Sequence, residues 1–406
     1  MWKSFKKVTF VVAASTVMAV AAISTQALVP DKKVEAASKP SFSDISGHWA
    51  ASSIETAVQA GILNGYSDGT YKPNNTITRA ELLKVMALTF KLKVDSGGST
   101  WYAPYQTALS KAGVYLDGDY PGNVNNPATR NEMAKLAVRG AYPDYRNKKL
   151  SSAELMFRAV NKGILSRSGT KAESINTEGT TTRAEAAVLV TRLLKLQDGG
   201  TITVDKGASS AAEIAWHRHN MITMFNQNDL VSLPYKKNIN SRYDVTIDNL
   251  IVLDPTDKTG YYAEYLEGAE YYLKGAEAKP NEGYVFAYKL KGKNLVVSSE
   301  TQLIRNSFYM YTEGESGTVF LANKFNYRDM TVKERPGLFT NRMQMSFSEK
   351  NGEGYDCYLE FVDKDFIQSQ IKQYGAFPIH LEKLNVGMNK ASQFYLTEVK
   401  DWLWEQ

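Results

Sequence analysis

Three arginines in the first half of the chain stand in the same tetrapeptide, Thr-Arg-x-Glu, each time directly before an apolar run. They are Arg79, Arg130 and Arg183, and they lie 51 and then 53 residues apart. A planar guanidinium can hold a carboxylate through two parallel hydrogen bonds. In the first turn of a helix, however, a cation opposes the helix dipole, which favours negative charge there. A single such arginine is usually solvated or paired within the protein, but three in the same register predict a role toward something anionic.

The threonine and the glutamate of each tetrapeptide predict a helix start. In a capping box the threonine hydroxyl accepts from the amide of the third helical residue, whose carboxylate accepts from the cap amide. The predicted structural caps are Thr78 with Glu81, Thr129 with Glu132, and Thr182 with Glu185. Apolar residues at helical spacing follow each one. Each arginine is therefore expected in the first turn of a capped helix.

A glycine precedes each arginine by 17 to 20 residues and ends a short amphipathic stretch. Glycine is the usual residue just past a helix end, where the backbone turns left-handed. Each unit is thus predicted to be a helix, a turn, an extended loop and a capped helix, and the period indicates a repeat architecture. Trp49 and Trp101 each lie twelve residues before their glycine, whereas Ser151 stands at that place in the third unit.

These motifs resemble the S-layer homology family. The first unit matches at three stretches, 42–50, 61–69 and 77–81. The second unit keeps the tryptophan and an Asp-Gly loop, but has Asn131 where the family prefers alanine. The third unit is degenerate, since it lacks both the tryptophan and the loop motif. The predicted repeats are 41–91, 96–141 and 146–196.

The resemblance implies an all-α module in which three repeats pack about a pseudo-threefold axis, with the post-arginine helices in a central bundle. It also implies noncovalent binding of a secondary cell-wall polysaccharide, often one with a pyruvylated terminal sugar. The pyruvate carboxylate suits a guanidinium, and the helix start beside it would offer free amides. The tryptophans could be platforms for sugar faces or ordinary core residues. The implied polysaccharide-binding residues are Trp49, Arg79, Trp101, Arg130 and Arg183.

The first residues predict export. Three lysines precede an apolar run at 8–23, and small residues follow. This is the pattern of a secretory signal peptide, which we place at 1–36 with cleavage after Ala27 or Ala36. An uncleaved anchor is the alternative, although the run is short for a bilayer span of about 20 residues. The expected location is the cell wall or S-layer of a Gram-positive-type bacterium.

Charge and cysteine content exclude some classes of protein. The formal net charge is +5, of which the three early lysines supply +3. The remainder argues against a nucleic-acid binder, which would carry a strongly basic face. Cys357 is the single cysteine, so no intrachain disulfide can form.

The composition changes after residue 196. We predict a linker at 197–207 and a β-rich domain at 208–406, which makes the chain a multidomain protein. Residues 211–225 have helical spacing, and apolar and polar residues alternate beyond them. Short strands at this spacing favour a sandwich or barrel, with an α+β sheet as the alternative. The predicted strands include 243–253, 284–288, 295–297, 308–311, 318–321, 343–347 and 355–362, with turns at 292–294 and 351–354.

No catalytic, cofactor-binding or metal-binding motif stands out in the second half. His217 and His219 would lie on different faces of a helix. Two pairs of aspartates near turns, 254 with 257 and 363 with 365, could hold calcium but are more simply solvated. Clustered tyrosines, such as those at 271–272, can bind glycans but usually pack across strands.

We therefore expect a surface protein anchored through its repeats, without a cofactor, a metal, a nucleic-acid partner or a membrane span after cleavage. The β-rich domain is expected to be non-enzymatic. Two alternatives stay open: a wall-attached enzyme whose catalytic site lies in 208–406, and a self-assembling S-layer subunit.

Export gives a direct test. Amino-terminal sequencing of protein extracted from the wall should return a start near Leu28 or Ala37. Recovery of the form beginning with Met1 in the membrane fraction would instead show an anchored protein.

Overall fold

The computed structural model describes residues 41–169, 175, 177–240, 243–258, 260, 263–266, 269–273, 276–294, 308–314, 317–320, 325–327, 353–383 and 393–397. The predicted signal peptide lies outside these residues, as do the predicted strands at 295–297 and 343–347.

The first half is helical, as predicted. Gly61, Gly113 and Gly163 follow the first helix of each predicted repeat with φ of +68°, +70° and +72°, a conformation that costs glycine least. We call 41–91, 96–141 and 146–196 the first, second and third segments. Their helices are α1 (Ala51–Gln59), α2 (Arg79–Thr89), α3 (Ala103–Lys111), α4 (Arg130–Ala141), α5 (Ser152–Asn161) and α6 (Arg183–Gln197).

The three capped helices contact one another. α2 meets α4 and α6, and α4 also meets α6. Each is flanked by the first helix of another segment: α3 packs on α2, α5 on α4, and α1 on α6. The last of these contacts joins the third segment back to the first. Fully buried aliphatic side chains fill the space between these helices, among them Leu83, Met86, Leu136 and Leu189.

Three backbone hydrogen bonds close a triangle between the segments just before the capped helices. The amide of Ile77 donates to the Thr181 carbonyl at 2.9 Å, that of Thr181 to Ala128 at 2.8 Å, and that of Ala128 to Ile77 at 2.9 Å. All three residues are fully buried. Each segment is thus hydrogen-bonded to both of the others at one point.

The predicted linker is not a spacer. Helix α7, Lys206–His217, packs against α5 of the third segment. Asp205 holds Arg167 through two hydrogen bonds of 2.6 and 2.7 Å. Burial opposes the ionised form of Asp205, but hydrogen bonds from Arg167 and the Ala208 amide outweigh it and lower its pKa. The first residues of the predicted second domain therefore pack with the helical half, because their small apolar side chains fill its core.

The chain reverses after α7. Arg218 ends the helix with φ of +63°, and α8, Met221–Phe225, follows. The predicted helix over 211–225 is therefore two helices with a left-handed residue between them. A buried amide, Asn220, then bonds both backbone groups of Val252, its Oδ1 accepting and its Nδ2 donating at 2.7 Å each.

Antiparallel strands dominate the second half. The largest described sheet has the order β1, β2, β5, β9. A second four-stranded sheet, built from shorter strands, has the order β11, β10, β6, β7, and a three-stranded sheet has the order β4, β3, β8. The bounds are β1 (Tyr235–Asn240), β2 (Tyr243–Leu253), β3 (Ala269–Leu273), β4 (Ala276–Ala278), β5 (Gly283–Asn294), β6 (Phe308–Gly314), β7 (Gly317–Phe320), β8 (Phe325–Tyr327), β9 (Glu353–Asp363), β10 (His380–Lys383) and β11 (Gln393–Tyr395).

The predicted turn at 292–294 is wrong. Strand β5 continues to Asn294, because β2 and β9 both pair with its end: Gly292 lies opposite Val245 on one side and Gly354 on the other. The turn predicted at 351–354 is also wrong for residues 353–354, because strand β9 begins at Glu353 and pairs with β5 there.

Both faces of the largest sheet are covered. On one face Val252, Phe286 and Val362 meet Met221 of α8 and Ile367 of α9, the helix Lys364–Tyr374. On the other face Val285 and Phe361 meet Tyr271 of β3 and Leu266. Tyr271 is buried, with its ring 4.7 Å from that of Phe361, so it packs in the core.

The triangle predicts a stabilising substitution. Thr181 Oγ1 is buried without a hydrogen-bond partner, at the place that Ile77 and Ala128 hold in the other segments. Thr181→Val keeps the shape and removes the unsatisfied hydroxyl, so it should raise the free energy of unfolding by about 1 kcal/mol. Urea denaturation measures this change.

The neighbouring threonine gives a matched control. Thr182→Val removes a helix cap and should lower the free energy of unfolding by about 1 kcal/mol. Loss of stability in Thr181→Val would show that its hydroxyl is satisfied in solution.

Candidate functional site

All three predicted capping boxes are present. The amide of Glu81 donates to Thr78 Oγ1 at 3.2 Å, and the Thr78 amide donates to Glu81 Oε2 at 2.8 Å. The pairs Thr129 with Glu132 and Thr182 with Glu185 repeat this geometry. Each arginine therefore begins its helix, as the tetrapeptide predicts.

The amides at these helix starts are already paired. The amides of the three arginines donate to carbonyls of another segment at 2.8 to 3.0 Å. The next amide along each helix does the same at 2.9 to 3.0 Å. The expectation that the helix starts offer free amides to an anion is therefore wrong, because loops of the adjacent segment occupy them. The acceptors are Asn126, Gly179 and Asn75 for the arginines, and Val124, Thr177 and Pro73 for the following residues.

The guanidinium of Arg79 is buried against the second segment. Its Nε lies 3.0 Å from both carboxylate oxygens of Glu132, and its Nη2 lies 2.8 Å from Oε1. Its Nη1 donates to the carbonyls of Pro121 and Asn123. Every nitrogen of this guanidinium thus has a protein partner.

Arg130 makes the corresponding contacts to the third segment. Its Nε donates to the Ile175 carbonyl at 2.9 Å and its Nη2 to the Ser166 carbonyl at 2.6 Å. Its Nη1 lies 3.3 Å from Glu185. Burial lowers the pKa of Arg130, and the Glu185 carboxylate offsets part of that effect.

Arg183 returns to the first segment and differs from the other two. Its Nε and Nη2 donate to the carbonyls of Tyr71 and Asn64 at 2.9 and 2.7 Å. No described residue accepts a hydrogen bond from its Nη1. This nitrogen is also not fully enclosed by the protein. Among the described acidic residues none pairs with it within 4.0 Å, although Glu81 stands at the place that Glu132 and Glu185 hold in the other contacts.

Two tyrosine rings flank this guanidinium. The Arg183 Cζ atom lies 4.9 Å from the Tyr66 ring centroid and 4.5 Å from that of Tyr71. Burial raises the pKa of Tyr71 to about 12, although Arg183 acts in the opposite direction. Tyr66 is 41% exposed, and Lys72 Nζ lies 4.2 Å from its ring centroid. Arg183 itself is only 6% exposed, but its guanidinium, the exposed Tyr66 ring and the Lys72 ammonium lie side by side.

Three residues of this place, Tyr66, Tyr71 and Lys72, are not among the predicted site residues. The signal was present, because two aromatic residues and a cation share the one short loop, 64–73, that matches the family motif most fully. Their common partner is more than a hundred residues away in the chain, so only the fold brings them together.

The two predicted tryptophans lie at the surface. Trp49 is 68% exposed and Trp101 is 55% exposed, so neither is a core residue. The ring of Trp49 lies 5.5 Å from that of His48, whose Nε2 lies 3.3 Å from Asn74 Oδ1. Trp49 is therefore linked to the loop that receives the start of α6.

The histidine pair of the second half does not lie on opposite faces. Because Arg218 reverses the chain, the His217 and His219 rings stack at 5.0 Å with an angle of 4°. Elsewhere, Asp254 Oδ1 accepts from the Thr256 amide and Asp363 Oδ1 accepts from the Asp365 amide. These two carboxylates therefore serve local turns and a helix cap.

One further cavity, of about 140 Å³, lies where α7 and α8 meet the end of β2. Lys206, Ser210, Asp254 and Asp257 line it together with apolar side chains. Within the described ranges, no three His, Cys, Asp or Glu side chains gather as a metal site could. None of the helices described is both long and apolar enough to cross a membrane.

The buried pair of Arg79 and Glu132 gives a stability test. Arg79→Ala should lower the free energy of unfolding by about 3 kcal/mol, because it leaves Glu132 buried without its partner. An exposed ion pair supplies the control, because the Arg218 side chain is 48% exposed and its Nη1 lies 2.7 Å from Asp248 Oδ1. Arg218→Ala should lower the free energy of unfolding by less than about 1 kcal/mol. Unchanged stability in Arg79→Ala would show that this guanidinium is free in solution.

Comparison with known proteins supports the resemblance to the S-layer homology family. Residues 41–83 match the family model described as the S-layer homology domain. An amylopullulanase of Thermoanaerobacterium thermosulfurigenes is 29% identical over 177 residues, which are 38% of this chain and 9% of that protein. An S-layer protein of Bacillus thuringiensis subsp. finitimus is 29% identical over 201 residues, 42% of this chain and 24% of that protein.

A third relative, the S-layer protein EA1 of Bacillus anthracis, is 37% identical over 93 residues, 21% of this chain and 11% of that protein. The chain thus spans at most 24% of the length of these three relatives. The match at 41–83 covers the first capped-helix start and the loop that receives Arg183. The chain accordingly carries an S-layer homology domain at 41–83, and it is located at the bacterial cell wall and surface.

Proposed function

We propose that the chain is anchored noncovalently to a secondary cell-wall polysaccharide through three S-layer homology repeats. The matched domain at 41–83 supports this, since S-layer homology domains bind cell-wall polysaccharide. The second and third segments repeat its capping boxes and its contacts between segments. In this proposal the three repeats form a pseudo-threefold unit about the backbone triangle.

The binding site proposed here is the contact of the third segment with the first. The observation that carries it is Arg183, the one of the three repeat arginines whose guanidinium retains an unpaired nitrogen and no carboxylate partner among the described residues. Its positive charge is not neutralised locally, so an anionic group that reaches Nη1 gains a charge-assisted hydrogen bond. Lys72 lies beside the same tyrosine ring, but its charge is paired with Asp68 at 3.1 Å, so Arg183 is the cation of this site.

The ligand proposed for this site is the carboxylate of a pyruvylated terminal sugar. Tyr66 presents an exposed ring next to the guanidinium, and such a face suits the apolar side of a pyranose. Trp49 offers a second exposed ring at the far end of the same loop, through His48 and Asn74. An acidic sugar held between a cation and aromatic faces fits this arrangement.

Arg79 and Arg130 have a different role in this proposal. Their donors are occupied by the neighbouring segment, so they hold the loops of the second and third segments in place. Trp101 remains a proposed sugar platform on the second segment, where it stacks edge-on with Tyr102 at 5.9 Å. The third segment, the most degenerate in sequence, here supplies the ligand arginine.

For the second half we propose an α+β architecture and a non-enzymatic role at the wall. Helices α8 and α9 on one face of a four-stranded sheet support the α+β assignment. A wall-attached enzyme or a lattice-forming subunit would be the alternatives, as relatives with both kinds of name exist.

The test of anchoring uses purified sacculi that retain their secondary polymer. The chain should sediment with them, and acid extraction of the polymer should abolish binding. Arg183→Ala should weaken binding by about 1.5–3 kcal/mol, the range for a hydrogen bond to a charged group. Arg183→Lys should not restore it fully, because the planar fork is lost.

Two controls separate the site from general charge. Lys148→Ala removes one positive charge from an exposed position and should bind like the parent. Tyr66→Ala should weaken binding without changing net charge. Equal retention of all variants on stripped and intact sacculi would reject the proposal.

A further inference from the structure

An aromatic column crosses from the third segment to the largest sheet. The ring centroids of Phe157 in α5 and Trp216 in α7 are 5.4 Å apart, and those of Trp216 and His217 are 3.5 Å apart. His217 stacks in parallel on His219 at 5.0 Å. His219 in turn forms a backbone bridge with Leu250 of β2. The two imidazoles therefore lie at the junction between the helical half and the strands.

A buried carboxylate organises the same step. Glu213 is fully buried, and its two oxygens accept from the amides of Ile222 and Thr223 at 2.8 and 2.7 Å. These amides lie at the start of α8, which has no side-chain cap of its own. The same carboxylate lies 3.1 Å from His219 Nδ1. Glu213 thus supports α8 directly, and the same turn is held by the Met221 amide, which donates to His219 Nδ1 at 3.3 Å.

Among the described residues, no carboxylate forms an ion pair with His217. His217 stands between the Trp216 ring and the His219 ring, and Arg158 of α5 lies over Trp216 with its Cζ 5.3 Å from the ring centroid. A positive charge on His217 would therefore lie near the Arg158 guanidinium, where partial burial limits its screening.

We infer that the stacked histidines are a pH-sensitive hinge: protonation of His217 separates the two rings and loosens α8 and β2 from α7, while the triangle of the three segments stays closed. The pair holds two of the four histidines in the chain. His48, in the first segment, lies outside the triangle and the central bundle.

The charges around His217 set the direction of the pH response. Burial lowers its pKa, and His219 and Arg158 lower it further, while Glu213 and Glu154 act against them. Arg218 is paired with Asp248 of β2, and Arg158 with Glu154 of α5. No charged side chain of α8 faces the pair, since α8 contains none.

The sign follows from the lowered pKa. Between the folded value and the unfolded value of about 6.5, the unfolded chain binds more protons than the folded one. The stability of this junction is therefore complete above about pH 6.5 and decreases as the pH falls through the folded pKa.

Hydrogen exchange of the full chain tests the hinge. Exchange is followed by mass spectrometry at pH 7.5 and pH 5.0, with rates corrected for the intrinsic effect of pH. Peptides from 213–226 and 243–253 should exchange about tenfold faster at the lower pH, because the unfolded chain binds more protons there than the folded chain. Peptides from 77–90 and 130–141 should keep their protection. Uniform loosening of all peptides, or none at all, would overturn the inference.

Variants of the histidines assign the effect. His217→Phe keeps a ring in the stack but cannot be charged, so it should abolish the acid response of 213–226. His48→Phe is the matched control and should leave that response intact. An acid response in His217→Phe equal to that of the parent would overturn the inference. Should this variant fail to fold, NMR titration of the parent decides: a His217 pKa at or above the ordinary histidine value would have the same consequence.

Discussion

The fold of the first half depends on three backbone hydrogen bonds between residues that are distant in the chain. Ile77, Ala128 and Thr181 each donate to one partner and accept from the other. Loss of one of these residues' segments would break two of the three hydrogen bonds. The capped helices start within two residues of these corners, so their directions are fixed by the same contact.

From this constraint the different roles of the three arginines follow. Each guanidinium is carried by its helix start onto the loop of an adjacent segment, where carbonyl groups accept from it. What differs is the carboxylate. Glu132 and Glu185 neutralise Arg79 and Arg130, whereas Arg183 is left with aromatic neighbours. The proposed anion site therefore lies at the one of these three contacts in which no carboxylate faces the arginine.

How much the sequence could predict depends on the range of each interaction. The capping boxes were predictable because Thr78 and Glu81 lie three residues apart. The partner of each arginine was not, since a local pattern cannot tell whether a guanidinium faces solvent or another segment. The glycines at 199–200 resemble a flexible linker, yet Ile202 and Asp205 beside them pack on Gly163 and Arg167. Long-range pairing likewise turned the predicted turn at Gly292 into strand.

Helix α7 has a mechanical consequence for a protein held at a wall. Tension applied to the strand-rich half would enter the helical half through α7 and its contacts with α5, among them the ion pair of Arg167 with Asp205. Several contacts between α5 and α7 would bear this force together. It would reach the third segment first, and that segment carries Arg183. The segment that receives the force would then also be the segment that carries the proposed binding arginine. The other two segments would lie outside the direct line of force.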